Sequence, residues 1–107
     1  MDYQCAMAAL ADPSRRAIVD RLRAGPLPVG AIAQDLPISR PAVSQHLRVL
    51  SDAGLLTMTA QGNRRLYQLS PDGLRELRQY LDTLWDDALA AFADSALDAA
   101  KNKKAPT

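Results

Sequence analysis

Three residues, Pro37-Ile38-Ser39, separate two helical stretches in this chain, and that spacing constrains its fold more than any other feature. The first stretch, residues 29–36, sets Val29, Ile32, Ala33 and Leu36 on one face. The second, residues 40–53, carries Val43, Leu47 and Leu50 as its apolar stripe. Ser39 stands at its N-cap, and Gly54 supplies a left-handed stop. Two helices joined so tightly have the spacing of a helix-turn-helix.

Beyond Gly54 the apolar period falls from 3.6 to 2. Gly62-Asn63 reads as a two-residue hairpin turn with glycine first, as type II′ requires. Counting outward pairs Ala60 with Arg65, Met58 with Tyr67 and Leu56 with Leu69 on a mainly apolar face. Thr57, Thr59 and Gln61 fall opposite Gln68, Leu66 and Arg64 on a mainly polar one, the alternation of a half-buried hairpin over about residues 56–69. Its tip is polar and basic. A hairpin directly after a helix-turn-helix is a wing.

The flanks are helical. Residues 3–10 make a short first helix. Asp12-Pro13 is an N-cap followed by proline at the first helical position, and Ile18, Val19 and Leu22 follow as a stripe until Gly25-Pro26 ends the element. Ser70-Pro71 opens a last helix, residues 71–99, interrupted only by Gly73. Leu74, Leu77, Leu81, Leu84, Ala88 and Ala91 recur at three-four spacing, widened by Trp85, Leu89, Phe92 and Ala96. Roughly 28 residues at 1.5 Å each span about 42 Å, more than one small core can cover. Its second half is therefore expected on a symmetry mate with the first helix alongside, through Tyr3, Met7, Leu81, Trp85, Leu89 and Phe92. The expected fold is mainly α with a small β-hairpin: one winged helix-turn-helix domain over residues 1–100, dimeric through its terminal helices, with 101–107 a frayed tail.

The net charge of +1 hides a segregation. Between Pro13 and Ser70 eight arginines face three aspartates; from Pro71 to Ala100 two arginines face seven acids. The basic middle suits an anion such as DNA, and the acidic end another task. No run reaches the ~18 apolar residues of a membrane span, and the first ten residues lack the basic start of a signal peptide. One cysteine, Cys5, cannot form an internal disulfide, so a reducing cytoplasm is the expected compartment.

With Val43, Leu47 and Leu50 inward, helical geometry turns Arg40, Pro41, Ser44, Gln45 and Arg48 outward. Arg reads guanine O6 and N7, Gln reads adenine N6 and N7, Ser adapts to either, and Pro41 suits a thymine methyl. Ser39, a cap first, also stands where the helix's positive end favours phosphate. Asn63, Arg64 and Arg65 in the wing are expected on the backbone or in the minor groove, with Arg65 also able to cover the hairpin's apolar face; Arg15 and Arg16 are candidate phosphate contacts.

Four segments, Leu10-Ala-Asp-Pro-Ser-Arg-Arg-Ala-Ile18, Ile38-Ser-Arg-Pro-Ala-Val-Ser-Gln-His-Leu47, Ala53-Gly-Leu55 and Gly62-Asn-Arg-Arg-Leu-Tyr67, resemble the ArsR/SmtB family of bacterial winged-helix repressors over about residues 5–85. The resemblance implies a homodimer on an imperfect inverted repeat in a promoter, and repression relieved by a signal. It places the recognition contacts on Arg40, Pro41, Ser44 and Gln45. His46 matches a family histidine but lies on the inward side, a structural position. Metal-sensing members carry a cysteine pair where this chain has Pro28 and Gly30, or Asp, His and Glu ligands on a last helix that here has no histidine. Without thiolate or imidazole, no metal or other cofactor is expected.

Cys5 reads first as a small buried hydrophobe on the first helix, and second as a redox switch across the dimer. No inducer, small-molecule or redox, is specified. Catalysis is not expected, because Cys5 and His46 sit on different helices with no third group. The alternative to DNA binding is a winged-helix protein-interaction module, which would need an apolar rather than an Arg, Ser, Gln outer face.

Overall fold

Capping chemistry sets the first turns of the fold. The computed structural model describes residues 3–104, with side chains through residue 98. Helix α1 (Tyr3–Leu10) leads into α2 (Pro13–Arg21), where the Asp12 carboxylate accepts the Arg15 amide at 3.0 Å. A 3-10 turn (Leu22–Ala24) precedes β1 (Leu27–Pro28), α3 (Val29–Ala33) and α4 (Arg40–Asp52). Strands β2 (Leu56–Gln61) and β3 (Arg64–Leu69) then lead into α5 (Pro71–Lys104). The chain divides into two compact units, one through Leu77 and one from Arg78.

The first unit holds the core. Ile18, Leu22, Ile32, Val43, Leu47, Leu50, Leu55 and Leu56 are buried together with Ala6, Ala9 and Ala53. Thus α4 buries the stripe its spacing foretold, packed on α1, α2, α3 and the base of the hairpin.

Helix α3 is shorter than the expected 29–36. In a longer helix the Ala31 carbonyl would accept the Asp35 amide; instead it takes the Gln34 amide at 3.4 Å and the Arg21 Nη2 at 2.9 Å. Arg21 also pairs with Asp35 at 3.3 Å, and Pro37 biases the residue before it away from helix. These together stop α3 at Ala33.

The sheet is antiparallel in the order β1-β3-β2. The β2–β3 register is the expected one: Leu56 faces Leu69, Met58 faces Tyr67 and Ala60 faces Arg65. Gly62 has φ +61° and among the described residues none other than glycine has positive φ, which fits type II′ and excludes type I′. Burial departs from the expected alternation. Leu56 is 4% exposed but Met58 46%, so the core covers only the base of the apolar face and the tip projects beyond it. Leu66, on the face read as polar, is half-buried. The unforeseen β1 explains it, pairing Leu27 with Tyr67 and Pro28 with Leu66 along the other edge of β3. Proline is tolerated there because β1 is an edge strand.

Helix α5 starts on the end of α4. The Ser70 amide donates to the Leu55 carbonyl at 2.8 Å, and the Ser70 hydroxyl sits 3.5 Å from the Gly73 amide. Gly73 interrupts the helical propensity for a packing reason: a Cβ there would stand 1.8 Å from the Gly54 carbonyl oxygen. Gly54, with φ +83°, is the left-handed stop of α4. Helix α5 continues to Lys104, past the expected end at residue 99, so four residues read as tail are helical; the rest of that tail lies outside the described residues. In the second unit every described side chain from Leu81 to Asp98 is exposed, Trp85 at 65% and Phe92 at 73%.

Candidate nucleic-acid interface

The N-terminus of α4 is held open by its cap. The Ser39 hydroxyl accepts the Ala42 amide at 3.2 Å, and Pro41 in the first turn removes a donor that the helix could not use. With Val43, Leu47 and Leu50 fully buried, Ser39, Arg40, Pro41, Ser44, Gln45 and Arg48 are all exposed. Asn63, Arg64 and Arg65 are exposed at the hairpin tip. Arg65 therefore does not cover the hairpin's apolar side as a buried stem would. His46 is half-buried between the two faces of α4.

The fold separates arginines that already have partners from those that do not. Arg15 donates from Nε to the Ala9 carbonyl at 2.6 Å and from Nη2 to Ala8 at 3.4 Å. Arg16 Nη1 donates to Leu10 at 2.9 Å and to Ala11 at 3.0 Å. Both cations close the carbonyl end of α1, where unpaired acceptors and the negative pole of the helix favour positive charge. The two candidate phosphate contacts thus already have intramolecular work, as does Arg21 between α2 and α3. Their seats lie five to ten residues away in sequence, so no local pattern announces them.

Arg40, Arg48, Arg64 and Arg65 behave differently. Among the described residues none of the four makes a hydrogen bond or ion pair. They occupy α4 and the wing, on side chains that an anion can reach without breaking a protein contact; Arg23, in the 3-10 turn, is likewise exposed and without such a partner. Asp12 lies apart from this set. The Arg15 amide beside it, helped by nearby positive charge, holds its carboxyl below the usual value.

Cys5 is exposed, contrary to the expected buried hydrophobe. Ala6 and Ala9 supply the inward face of α1, and Cys5 falls a residue off that face, at a shallow cavity of 340 Å³ shared with Val49 and Ala53 of the α4 end. The expected dimer residues split by unit. Tyr3 is half-buried and Met7 exposed on α1; Leu81, Trp85, Leu89 and Phe92 are exposed on α5. No group of three His, Cys, Asp or Glu among the described residues is placed to hold a metal ion.

Comparison with known proteins bears on the fold. A family profile described as a helix-turn-helix domain matches residues 10–59. The chain is 58% identical over 88 residues to the HTH-type transcriptional regulator Rv2034 of Mycobacterium tuberculosis, covering 82% of each chain. It is 35% identical over 78 residues to the arsenical resistance operon repressor of Staphylococcus xylosus, covering 73% of this chain and 75% of that one. Among solved structures it is similar to the homodimeric winged helix-turn-helix DNA-binding domain of Mb0332 from Mycobacterium bovis, described as a possible ArsR-family regulator. That match has a TM-score of 0.63 at 26% identity and covers 78% of both chains.

Proposed function

The chain belongs to the ArsR/SmtB family of winged helix-turn-helix transcriptional regulators, and from that premise we propose that it is a cytoplasmic repressor that binds an inverted-repeat operator as a homodimer. In this reading α4 enters the major groove. Arg40 reads a guanine, Gln45 an adenine, Ser44 either, and Pro41 packs on a thymine methyl, with Arg48 farther along the helix and Ser39 against phosphate. Asn63, Arg64 and Arg65 hold the backbone or the minor groove beside it. A second copy covers Tyr3, Met7, Leu81, Trp85, Leu89 and Phe92, which spaces two recognition helices about 34–36 Å apart, one turn of the duplex.

One observation carries the reading: all four arginines of α4 and the wing are exposed and unengaged, while Arg15, Arg16 and Arg21 are bound within the fold and only Arg23 of the 3-10 turn shares their state among the described residues. The polar outer face of α4 disfavours the protein-interaction module, whose recognition surface would be apolar. The exposed Trp85 and Phe92 support a self-association surface on the last helix. No helix among the described residues is long and apolar enough to cross a membrane, which accords with a cytoplasmic site of action.

Footprinting the DNA upstream of the chain's own gene tests the proposal, with metals and oxidants added in turn. Two protected half-sites one helical turn apart are expected. Folded protein that protects no segment there or elsewhere in the promoter regions it is offered would refute it.

A further inference from the structure

Arg40 opens α4, yet its guanidinium is turned back over α3. A Cβ placed on Gly30 would lie 3.7 Å from Nη2 of Arg40 and 3.8 Å from both Cζ and Nη1. Near-equal distances to three coplanar atoms put that point over the face of the guanidinium, not at its edge. Gly30 therefore faces the flat of the charged head, with room for a methyl between them and for little more. Nothing polar holds that head, since Arg40 makes no hydrogen bond or ion pair among the described residues.

The backbone does not explain this glycine. Positive φ occurs at Gly25, Gly54 and Gly62, and Gly30 is in ordinary helical conformation. A glycine inside a helix weakens it relative to alanine, and α3 has only five residues. What position 30 leaves is room beside Arg40. A methyl would rest on the guanidinium in ordinary contact; a side chain that extends toward it would push the head off α3.

We propose that Gly30 is a positioning residue for Arg40, setting the direction from which the first side chain of α4 reaches its base pair. The proposal rests on the reading of α4 as the recognition helix. An arginine stem has many rotamers, and each lost on docking opposes binding. A small residue at position 30 leaves the guanidinium the space over α3 and bulk there would take it away, so the residue at position 30 governs how one base pair in each half-site is read, without touching DNA itself.

The test is fluorescence anisotropy with the full chain on its footprinted repeat and on a set in which each base pair of the half-site is changed in turn. Arg40→Ala is expected to weaken the parent site about tenfold and to erase the preference at one base pair. Gly30→Ala should leave both unchanged. Gly30→Leu should erase the preference at that same base pair and add nothing in the Arg40→Ala background. A Gly30→Leu loss spread evenly over all base pairs, a loss that persists without Arg40, or no loss at all overturns the proposal. Should the leucine chain fail to melt cooperatively, Gly30→Asp takes its place, since an exposed position in the first turn of a helix accepts aspartate. Its carboxylate would capture the guanidinium, and the same base-selective loss, absent without Arg40, is required of it. If Arg40→Ala itself shows no base selectivity, the base-reading role of Arg40 has failed, and with it the premise, whatever Gly30 does.

Discussion

Substituting alanine for glycine inside a helix ordinarily stabilises it, by up to about 1 kcal/mol. At Gly73 the sign should reverse. A Cβ there lies 1.8 Å from the Gly54 oxygen and 2.6 Å from its carbonyl carbon, both backbone atoms that cannot rotate aside. Ordinary contact begins at 3.4 Å, so the start of α5 and the end of α4 must part by about 1.6 Å. That movement strains the 2.8 Å bond between Ser70 and Leu55 and loosens Leu74 from the core. Overpacking of about 1–3 kcal/mol plus a weakened hydrogen bond of about 1 kcal/mol, less the propensity gain, leaves Gly73→Ala about 2 kcal/mol less stable. For a chain of this size that is a fall in Tm of roughly 8–16 °C. Urea and thermal unfolding followed by circular dichroism, at one protein concentration because association raises apparent stability, would measure it. Gly30→Ala is the internal control: its Cβ meets only ordinary contacts, and it should gain about 0.5–1 kcal/mol. A Gly73→Ala chain as stable as the parent would refute the close approach of the two helices.

Three further outcomes are expected. Arg64→Ala and Arg65→Ala should each weaken binding to all sequences alike and lower the slope of log K against log salt by about 1; an unchanged slope would take the wing off the phosphates. Trp85→Ala with Phe92→Ala should release monomers detectable by sedimentation, whereas a doubly substituted chain still dimeric at micromolar concentration would place self-association elsewhere. Asp12→Ala should lower Tm at neutral pH through loss of the α2 cap. The folded carboxyl titrates below its ordinary 3.8, so its contribution is whole above that value and drains as pH falls through the lower folded one. The gap between parent and Asp12→Ala should therefore close in acid, and a constant gap would mean that the carboxylate charge plays no part.

What could be read from the sequence alone was whatever short-range chemistry decides. Asp12, Ser39 and Ser70 cap helices because their side chains reach amides three residues on. Val43, Leu47 and Leu50 turn inward because 3.6 residues make a turn. The hairpin register follows from a two-residue turn with glycine first, so Met58 meets Tyr67 wherever the hairpin packs. The outward set on α4 is the complement of its buried stripe and came with it.

Tertiary structure decided what depends on distant neighbours. Arg15, Arg16 and Arg21 look in sequence like Arg40 and Arg64, but long stems carry their charges to carbonyls outside their own helix. A two-residue strand such as Leu27–Pro28 exists only because β3 offers it an edge, and α3 ends at Ala33 where Arg21 reaches the Ala31 carbonyl and pairs with Asp35. Met58 and Cys5 are exposed because the core stops short of them. The glycines at 30 and 73 are alike as letters, yet a Cβ on one would meet a guanidinium at contact distance and a Cβ on the other a carbonyl far inside it. Periodicity specifies which face turns inward; only the assembled chain specifies what that face, and the space beside it, meets.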